Sequence, residues 1–465
     1  MTKVQLSVPK GTRDFTPMQM ARRNFIFSTL RSVFELHGFQ PIETPSMEQL
    51  STLLGKYGEE GDRLIFKVLN SGNYFSEFRN DQDIIDTKNA GEKAFSNKIS
   101  EKGLRYDLTV PFARFVVMNQ NELTFPFRRY QMQPVWRADR PQKGRYREFY
   151  QCDVDVIGTR SLTEEAGLIE ILDSAFGKLG INVTIKLNNR KILQGIAEAL
   201  NVGNRFTEFT IALDKLDKTG WDGVSKELID RGFPDTVPSK LAEIMRPTRS
   251  RTELLDQLKN HLTSEIGAKG IAEMEELFGY TDAIGIESEI KFDVSLARGL
   301  NYYTGAIFEV VANDTPMGSI SGGGRYDDLT GIFGLPDVSG VGVSFGADRI
   351  YDVMSELNLF PANINHSADI LLINFNEGSA KDLMLMARNL RKNDISAVVY
   401  PEAAKMKKQF SFADAYDFPY VLIQGPDEKT AGMVTLKQMS SGKQIQITEK
   451  SLSEVNQKGL RVLFE

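Results

Sequence analysis

Three arginines, far apart in the chain, occupy positions where folding alone does not explain a charged side chain. Arg137 follows Val135 and Trp136 at the end of an apolar run, and a guanidinium there needs a partner. Asp139 or Asp153 could serve; so could a phosphate, whose geometry the planar fork of arginine matches. Arg298 stands in LARGLNYYTG (296–305), ahead of Asn301, Tyr302 and Tyr303, a string unlike core sequence. A buried tyrosine ordinarily adds bulk and one hydrogen bond, so neither tyrosine alone would mark a site. Arg349 lies in GVGVSFGADRI (340–350), where a glycine-punctuated strand passes into a helix. A cation in a first helical turn opposes the helix dipole, so an anionic partner explains it better than stability does.

Other polar groups cluster with these. Gln151, Asp153 and Asp155 alternate along a β-branched run and therefore share one face, either a solvated face or the floor of a polar pocket. SGGGRYDDL (321–329) joins three glycines, which let a backbone approach a ligand closely, to Arg325, Tyr326 and Asp327. It is not a phosphate loop of the GxxxxGK[ST] kind, and the chain contains none. From Arg128 to Arg147 seven basic residues face one acidic residue, Asp139, in a chain whose net charge is −6. Such local basicity suits phosphate or RNA, although a solvated charged loop has the same composition. One cysteine, Cys152, and three scattered histidines argue against a Cys/His zinc site and fit a reducing compartment.

The elements that would position these groups follow from periodicity. Apolar residues at helical spacing predict an amphipathic helix over 18–37, and HGFQPIETP after it reads as a strand interrupted by Pro41 and Pro45. RRYQMQPVWRA and YREFYQCDVDVIG predict two antiparallel strands joined by a long polar loop, followed by a helix over 162–180. The polar stretch 70–100 reads as a surface insertion or mobile loop. Helical texture rich in Lys, Asp and Glu fills 188–287, and strand-like, glycine-rich sequence resumes at 288. LFPANINHSA (359–368) has the composition of a linker, and the alternation of strand and helix beyond it predicts a small α/β domain with a mainly parallel sheet.

At 465 residues, with 41% hydrophobic and 25% charged residues, two or three folded domains are expected. The boundaries are 1–187 with 288–358, an inserted helical domain at 188–287, and a C-terminal domain at 367–465. No apolar run is long enough for a membrane-spanning helix, and MTKVQLSVPKGTRDF lacks the apolar core of a signal peptide, so a cytoplasmic protein is expected.

RADRPQKGRYREFYQCDVDVIG, LARGLNYYTG, SGGGRYDD and GVGVSFGADRI together resemble motif 2, the two histidine signatures and motif 3 of the histidyl-tRNA synthetases. LRYDLTVPFARF (104–115) resembles that family's amino-acid-binding segment, MTKVQLSVPKGTRDFTP its start, and HGFQPIETP the class II motif 1 of the dimer interface. VVYPEAAKMKKQFSFADAYDFPYVLIQG (398–425) resembles its anticodon-binding domain. Asn301 stands where the family usually has Asp, and Asp107 where many bacterial members have Glu.

The resemblance implies an α+β fold: a class II catalytic domain on an antiparallel sheet, with a helical insertion and a C-terminal α/β anticodon-binding domain. It implies a homodimeric ATP-dependent ligase that joins L-histidine to tRNA(His) with Mg²⁺ on the nucleotide. Arg137 and Arg298 would hold the α-phosphate, and Arg349 the γ-phosphate and adenine end. Asp155 and Tyr303 would take the imidazole, Asp107, Thr109 and Gln151 the α-amino group, and Tyr302 and Tyr326 would complete the pocket. The acceptor end of the tRNA would meet Arg140, Gln142, Lys143 and Arg145, and the anticodon region Lys407, Lys408 and Gln409. A histidine-sensing, inactive relative would be expected to erode the arginines and lack the C-terminal domain; this chain keeps both.

Overall fold

The alternation of side chains in 127–157 dictates the architecture. Tyr130, Cys152, Val154 and Val156 are buried on one face, while Arg129, Gln131, Gln133, Gln151, Asp153 and Asp155 stand on the other. A sheet with one apolar and one polar face buries the first under helices and leaves the second to form a site. The computed structural model describes residues 6–248, 250–297, 302–362, 364 and 367–464. The chain divides into two compact units, Met1–Asp14 with Arg23–Phe360, and Phe15–Arg22 with Pro361–Glu465.

In the first unit the strands are β1 (Gln40–Pro41), β2 (Met47–Gln49), β3 (Lys67–Val68), β4 (Lys102–Leu104), β5 (Phe127–Trp136), β6 (Glu148–Ile157), β7 (Val183–Asn189), β8 (Glu289–Phe292), β9 (Ala306–Ala312), β10 (Ser321–Tyr326) and β11 (Gly340–Gly346). Eight of them form one sheet in the order β1-β5-β6-β11-β10-β9-β7-β8. The pairings from β5 to β7 are antiparallel, and a parallel pairing closes each end. β2, β4 and β3 form a small antiparallel sheet that delivers the segment after Leu104 to the large one. Backbone bonds from Trp136 to Arg105 O (3.0 Å) and from Ala138 to Leu64 O (2.8 Å) tie the two together beside Arg137.

The helices Pro17–Leu36 and Thr163–Leu179 cover the apolar face, as the periodicity predicts. Phe345 of β11 is the junction, with ring centroids 5.5 Å from Phe34 and 5.5 Å from Phe176. Between β7 and β8 the chain is helical: Arg190–Ala199, Phe206–Leu213, Leu216–Asp230, Thr236–Ile244, Arg251–His261 and Glu265–Ile284. Glycines let the first and last of these lie backbone against backbone; a Cβ on Gly195 would sit 2.6 Å from the Cα of Gly267.

Two expectations need correction. The stretch 70–100, read as a surface insertion or mobile loop, lies largely at the surface but is not a loop throughout: it folds into helices Asp81–Asn89 and Glu92–Lys98. The Asn80 side chain caps the first by accepting from Asp83 N, Phe78 stacks on Phe95, and Lys98 pairs with Asp83 at 2.7 Å. Such short-range contacts suffice for helices too short and polar to show periodicity. In the second unit β12 (Ile370–Leu372), β13 (Ala397–Val399), β14 (Tyr420–Ile423), β15 (Met433–Gln438) and β16 (Gln444–Thr448) form a sheet in the order β13-β12-β14-β15-β16. Its first two pairings are parallel and its last two antiparallel, so the sheet is mixed rather than mainly parallel. The β15–β16 hairpin turns at Gly442 (φ +71°), and its outer strand, QIQIT, alternates but leaves no side chain fully buried.

The Phe345→Ala variant is expected to lose about 3–5 kcal/mol of stability, because two rings then face a void. Urea unfolding of the variant against the parent chain measures it.

Candidate active site

Strand register assembles the polar face. Arg129 stands opposite Asp155, Gln131 opposite Asp153 and Gln133 opposite Gln151. On the other side of β6, Gly342 faces Asp155, Ser344 faces Asp153 and Gly346 faces Gln151. The glycine punctuation of β11 thereby acquires a cause. A Cβ on Gly342 would lie 2.0 Å from Asp155 Oδ1, and one on Gly340 would lie 2.3 Å from the Tyr326 ring. Asp155 and Tyr326 occupy space that any other residue in β11 would fill.

Above this floor lies a cavity of about 270 Å³, lined among others by Asp107, Thr109, Arg137, Gln151, Tyr302, Tyr303 and Arg349. Asp107 sits where the segment from β4 enters the helix Thr109–Met118, and Val110 N donates to it at 3.2 Å. Tyr57 OH donates to Asp107 Oδ1 at 2.8 Å and Tyr302 OH to Oδ2 at 3.2 Å. Burial pushes the Asp107 carboxyl up from its ordinary value, and these donors together with the Arg137 charge oppose that shift. Burial also raises the phenols of Tyr57, Tyr302, Tyr303 and Tyr326, so all four remain donors at neutral pH.

Arg137 and Arg349 meet in this one cavity, though they lie on β5's continuation and on the helix Ala347–Glu356. Among the described residues Arg137 forms no ion pair with Asp139 or Asp153. Its Nε donates to Tyr106 O at 3.0 Å, and its guanidinium lies 4.3 Å from the centroid of the Tyr106 ring. Arg349 donates to the carbonyls of Gly144 (2.7 Å) and Ser319. Its neighbour Asp348 gathers Arg13 and Arg23 and accepts from Tyr150 N at 2.8 Å, fixing the helix start to β6. Arg298 and Asn301 lie outside the described residues. The flanks of their segment are anchored: Asn188 Nδ2 donates to Val294 O and Leu296 O, and Thr304 Oγ1 to Asp327 Oδ2 at 2.7 Å.

Asp155 and Tyr326 lie behind the cavity lining, joined by a 2.7 Å hydrogen bond from the phenol to Oδ1. Arg325, next in the glycine-rich motif, points to the opposite face and forms a buried bidentate pair with Glu165 of helix Thr163–Leu179 at 2.5 and 2.6 Å. Its role is to lock sheet to helix. In the loop after Arg137, Arg140, Gln142, Lys143 and Arg145 are exposed; Arg145 also lines the cavity, and Lys143 pairs with Glu356 at 2.8 Å. In the second unit Lys407 and Lys408 are exposed on the helix Met406–Ala415. Gln409 is a correction. It is fully buried, its amide accepting from Asn374 N and donating to Asn374 O and Ala404 O, so it holds the helix to the sheet instead of facing RNA.

Two residues of the site carry no signal that a motif would reveal. Tyr57 lies in an unremarkable glycine-containing stretch. Arg129 is entirely buried, 2.7 Å from Asp155, its guanidinium 4.3 Å from the centroid of the Phe112 ring. It could have been found by reading β5 with the same two-residue period as β6.

The histidyl-tRNA synthetase family model matches residues 11–76 and 96–350, and an anticodon-binding-domain model matches residues 369–458. A histidine–tRNA ligase of Phocaeicola vulgatus is 52% identical over 96% of this chain and 98% of its own length. One from Porphyromonas gingivalis is 55% identical over 94% and 96%. The chain belongs to the histidyl-tRNA synthetase family. The crystal structure of histidyl-tRNA synthetase from Nostoc sp. PCC 7120 superposes with a TM-score of 0.81 at 28% identity, covering 97% of this chain and 99% of that one. The gap in the family match, 77–95, takes in the helix Asp81–Asn89 and the first half of the helix Glu92–Lys98 that the polar stretch forms here. No helix among the described residues is long and apolar enough to cross a membrane.

Two outcomes test this reading of a synthetase fold. Arg325→Met strands Glu165 without its partner and is expected to cost about 3–5 kcal/mol in urea unfolding. The second concerns Asp153, whose carboxyl is pushed up to about 7, chiefly by burial. An acid raised in the folded state binds protons that the unfolded chain, with a value of about 3.9, has released. Its contribution to stability is therefore complete below about pH 4 and lost as pH rises through about 7. Asp153→Asn should flatten that part of the stability–pH profile; a profile identical to the parent's would contradict the assignment.

Proposed function

We infer that this chain is a histidine–tRNA ligase, which activates L-histidine with ATP to histidyl-adenylate and pyrophosphate, then transfers histidine to the 3′ end of tRNA(His). The observation that carries the reading is the convergence of Arg137 and Arg349 in one cavity with Asp107, Thr109, Gln151, Tyr302 and Tyr303. In the first step the histidine carboxylate attacks the α-phosphorus of ATP in line and pyrophosphate leaves. A carboxylate is already ionised at neutral pH, so no side chain has to act as base, and positioning with charge stabilisation is the chemistry required.

Arg137 and Arg298 are assigned to the α-phosphate, and Arg349 to the γ-phosphate and adenine end. The carboxylate of Asp107 suits the α-ammonium group of histidine, beside Thr109 and Gln151. Asp155 and Tyr303 take the ring, whose neutral form offers one donor and one acceptor, with Tyr302 and Tyr326 framing it. A pocket of hydrogen-bonding groups rejects analogues that leave them unpaired, by roughly 10⁴-fold or more, which suits an enzyme without editing. ATP would enter as its magnesium complex. Among the described residues no group of three His, Cys, Asp or Glu side chains is placed to hold a metal ion. The contribution of magnesium would be neutralisation of triphosphate charge.

For tRNA we assign Arg140, Gln142, Lys143 and Arg145 to the acceptor end, and Lys407 and Lys408 to the anticodon region. From Ser367 onward the chain carries 13 basic and 12 acidic residues, so contact there is local rather than driven by bulk charge. Residues 1–187 with 288–358 act as the catalytic domain, 188–287 as a clamp on the acceptor stem, and 367–465 as the anticodon-binding domain. The protein is proposed to work as a cytoplasmic homodimer.

ATP–pyrophosphate exchange with a panel of amino acids tests the substrate: histidine with Mg²⁺ should drive it, and equal exchange with threonine or proline would overturn the reading. Arg137→Ala and Arg298→Ala should each lower adenylate formation by about 10²–10³-fold, the loss seen when one group stabilising developing charge is removed. Histidine binding, followed by calorimetry, should change little in Arg298→Ala.

A further inference from the structure

We propose that Arg129 is a positioning residue for histidine selection: from beneath the pocket it pairs with Asp155 and fixes its carboxyl group, so that this group accepts an imidazole N–H. The inference rests on the reading that Asp155 takes the ring. Arg129 is not among the residues that line the cavity, and it is wholly enclosed. Its Nη2 is 2.7 Å from Asp155 Oδ2 and 3.9 Å from Asp153 Oδ2, and its Nη1 donates to Gln131 Oε1 at 3.4 Å. The ring of Phe112, from the helix that begins at Thr109, presents its face to the guanidinium.

Charge makes the arrangement matter. One guanidinium stands against two buried carboxylates, Asp153 and Asp155, with Asp107 as a third negative group acting on both. Burial pushes the Asp155 carboxyl up from its ordinary value, the Arg129 charge opposes that shift, and Tyr326 donates to Oδ1. With Tyr326 on one oxygen and Arg129 on the other, lone pairs remain for one further donor. The same floor holds groups with no hydrogen-bond partner among the described residues: Gln151 Oε1, Asp153 Oδ1, and Arg129 Nε and Nη2, the last held to Asp155 as an ion pair without hydrogen-bond geometry. Buried polar atoms are rarely left so in a purely structural network, and the Arg325–Glu165 pair on the other face of the sheet is hydrogen-bonded at every guanidinium nitrogen. The contrast separates a pair that only ties elements together from one whose balance is completed by a ligand.

The test is steady-state exchange kinetics on the full chain, with histidine and ATP varied separately. Arg129→Met is expected to raise the KM for histidine about 30-fold or more, as truncating one member of a buried charge pair does, while the KM for ATP moves less than about threefold. Removing the surplus negative charge in the same background, Arg129→Met with Asp153→Asn, should recover histidine KM to within about tenfold of the parent. This double variant also serves if the single one fails to fold. Arg129→Lys, which keeps the charge without the fork, should fall between. Equal rises in both KM values, or a double variant no better than the single one, would overturn the proposal and leave Arg129 as packing. Asp155→Asn separates the two levels of argument. If it leaves histidine KM unchanged, the assignment of Asp155 is what fails; if it raises KM and Arg129→Met does not, the positioning role is what fails.

Discussion

A two-residue period imposed across β5, β6 and β11 is the constraint on which the rest of the molecule depends. Slipping the register by one residue would carry Arg129, Asp153 and Asp155 into the apolar layer and Cys152, Val154 and Phe345 into the cavity. The register is held from below by aromatic packing between Phe345, Phe34 and Phe176, and from above by ionic and hydrogen-bonded cross-strand pairs. The buried Arg325–Glu165 pair adds a specific lock between sheet and helix, whose cost of desolvation is met by good geometry rather than by charge alone.

That arrangement explains why the glycines cluster as they do. In β11 they stand only on the polar face, where Asp155 and Tyr326 need the room, while Val341, Val343 and Phe345 fill the apolar one. In β10, Gly323 allows the close approach of Gly342 O, and Gly324 makes space for the ring of Tyr303. A motif that might pass for a flexible ligand-binding loop is instead a pair of ordinary strands thinned to admit side chains from their neighbours. Rigidity in the floor is what a selective pocket requires, since a loosely held acceptor would discriminate poorly between ring nitrogens.

The charged groups in and beneath this cavity fall into two half-sites. One is cationic, with Arg137, Arg145 and Arg349 around the mouth; the other is acidic, with Asp107 lining the cavity and Asp153 and Asp155 below. A zwitterionic amino acid beside a triphosphate calls for that separation. The phenols between them supply neutral donors whose protons burial keeps in place, so the two half-sites are bridged without adding charge.

The boundaries of the strands and helices around the site were legible in the sequence because strong periodicity and long apolar runs leave little freedom; the helix at 163–179 and the strands at 127–136 and 148–157 are cases in point. So were the arginines and tyrosines of the motifs, because charged and aromatic groups beside glycine lack a packing explanation. What escaped was whatever depends on partners distant in the chain or on weak local signals. The helices at 81–98 rest on a cap, a ring stack and one ion pair. The antiparallel end of the C-terminal sheet rests on a hairpin whose outer strand, QIQIT, is short and leaves no side chain fully buried. Gln409 looked like an exposed helical polar residue until the segment that follows β12 and carries Asn374 enclosed it. The amino-acid order by itself determined which residues could do the chemistry and which faces they would share. Only the tertiary structure decided which charges were paired, with Arg325 meeting Glu165 and Arg129 meeting Asp155, because burial and Coulomb energy depend on distances that register and packing set.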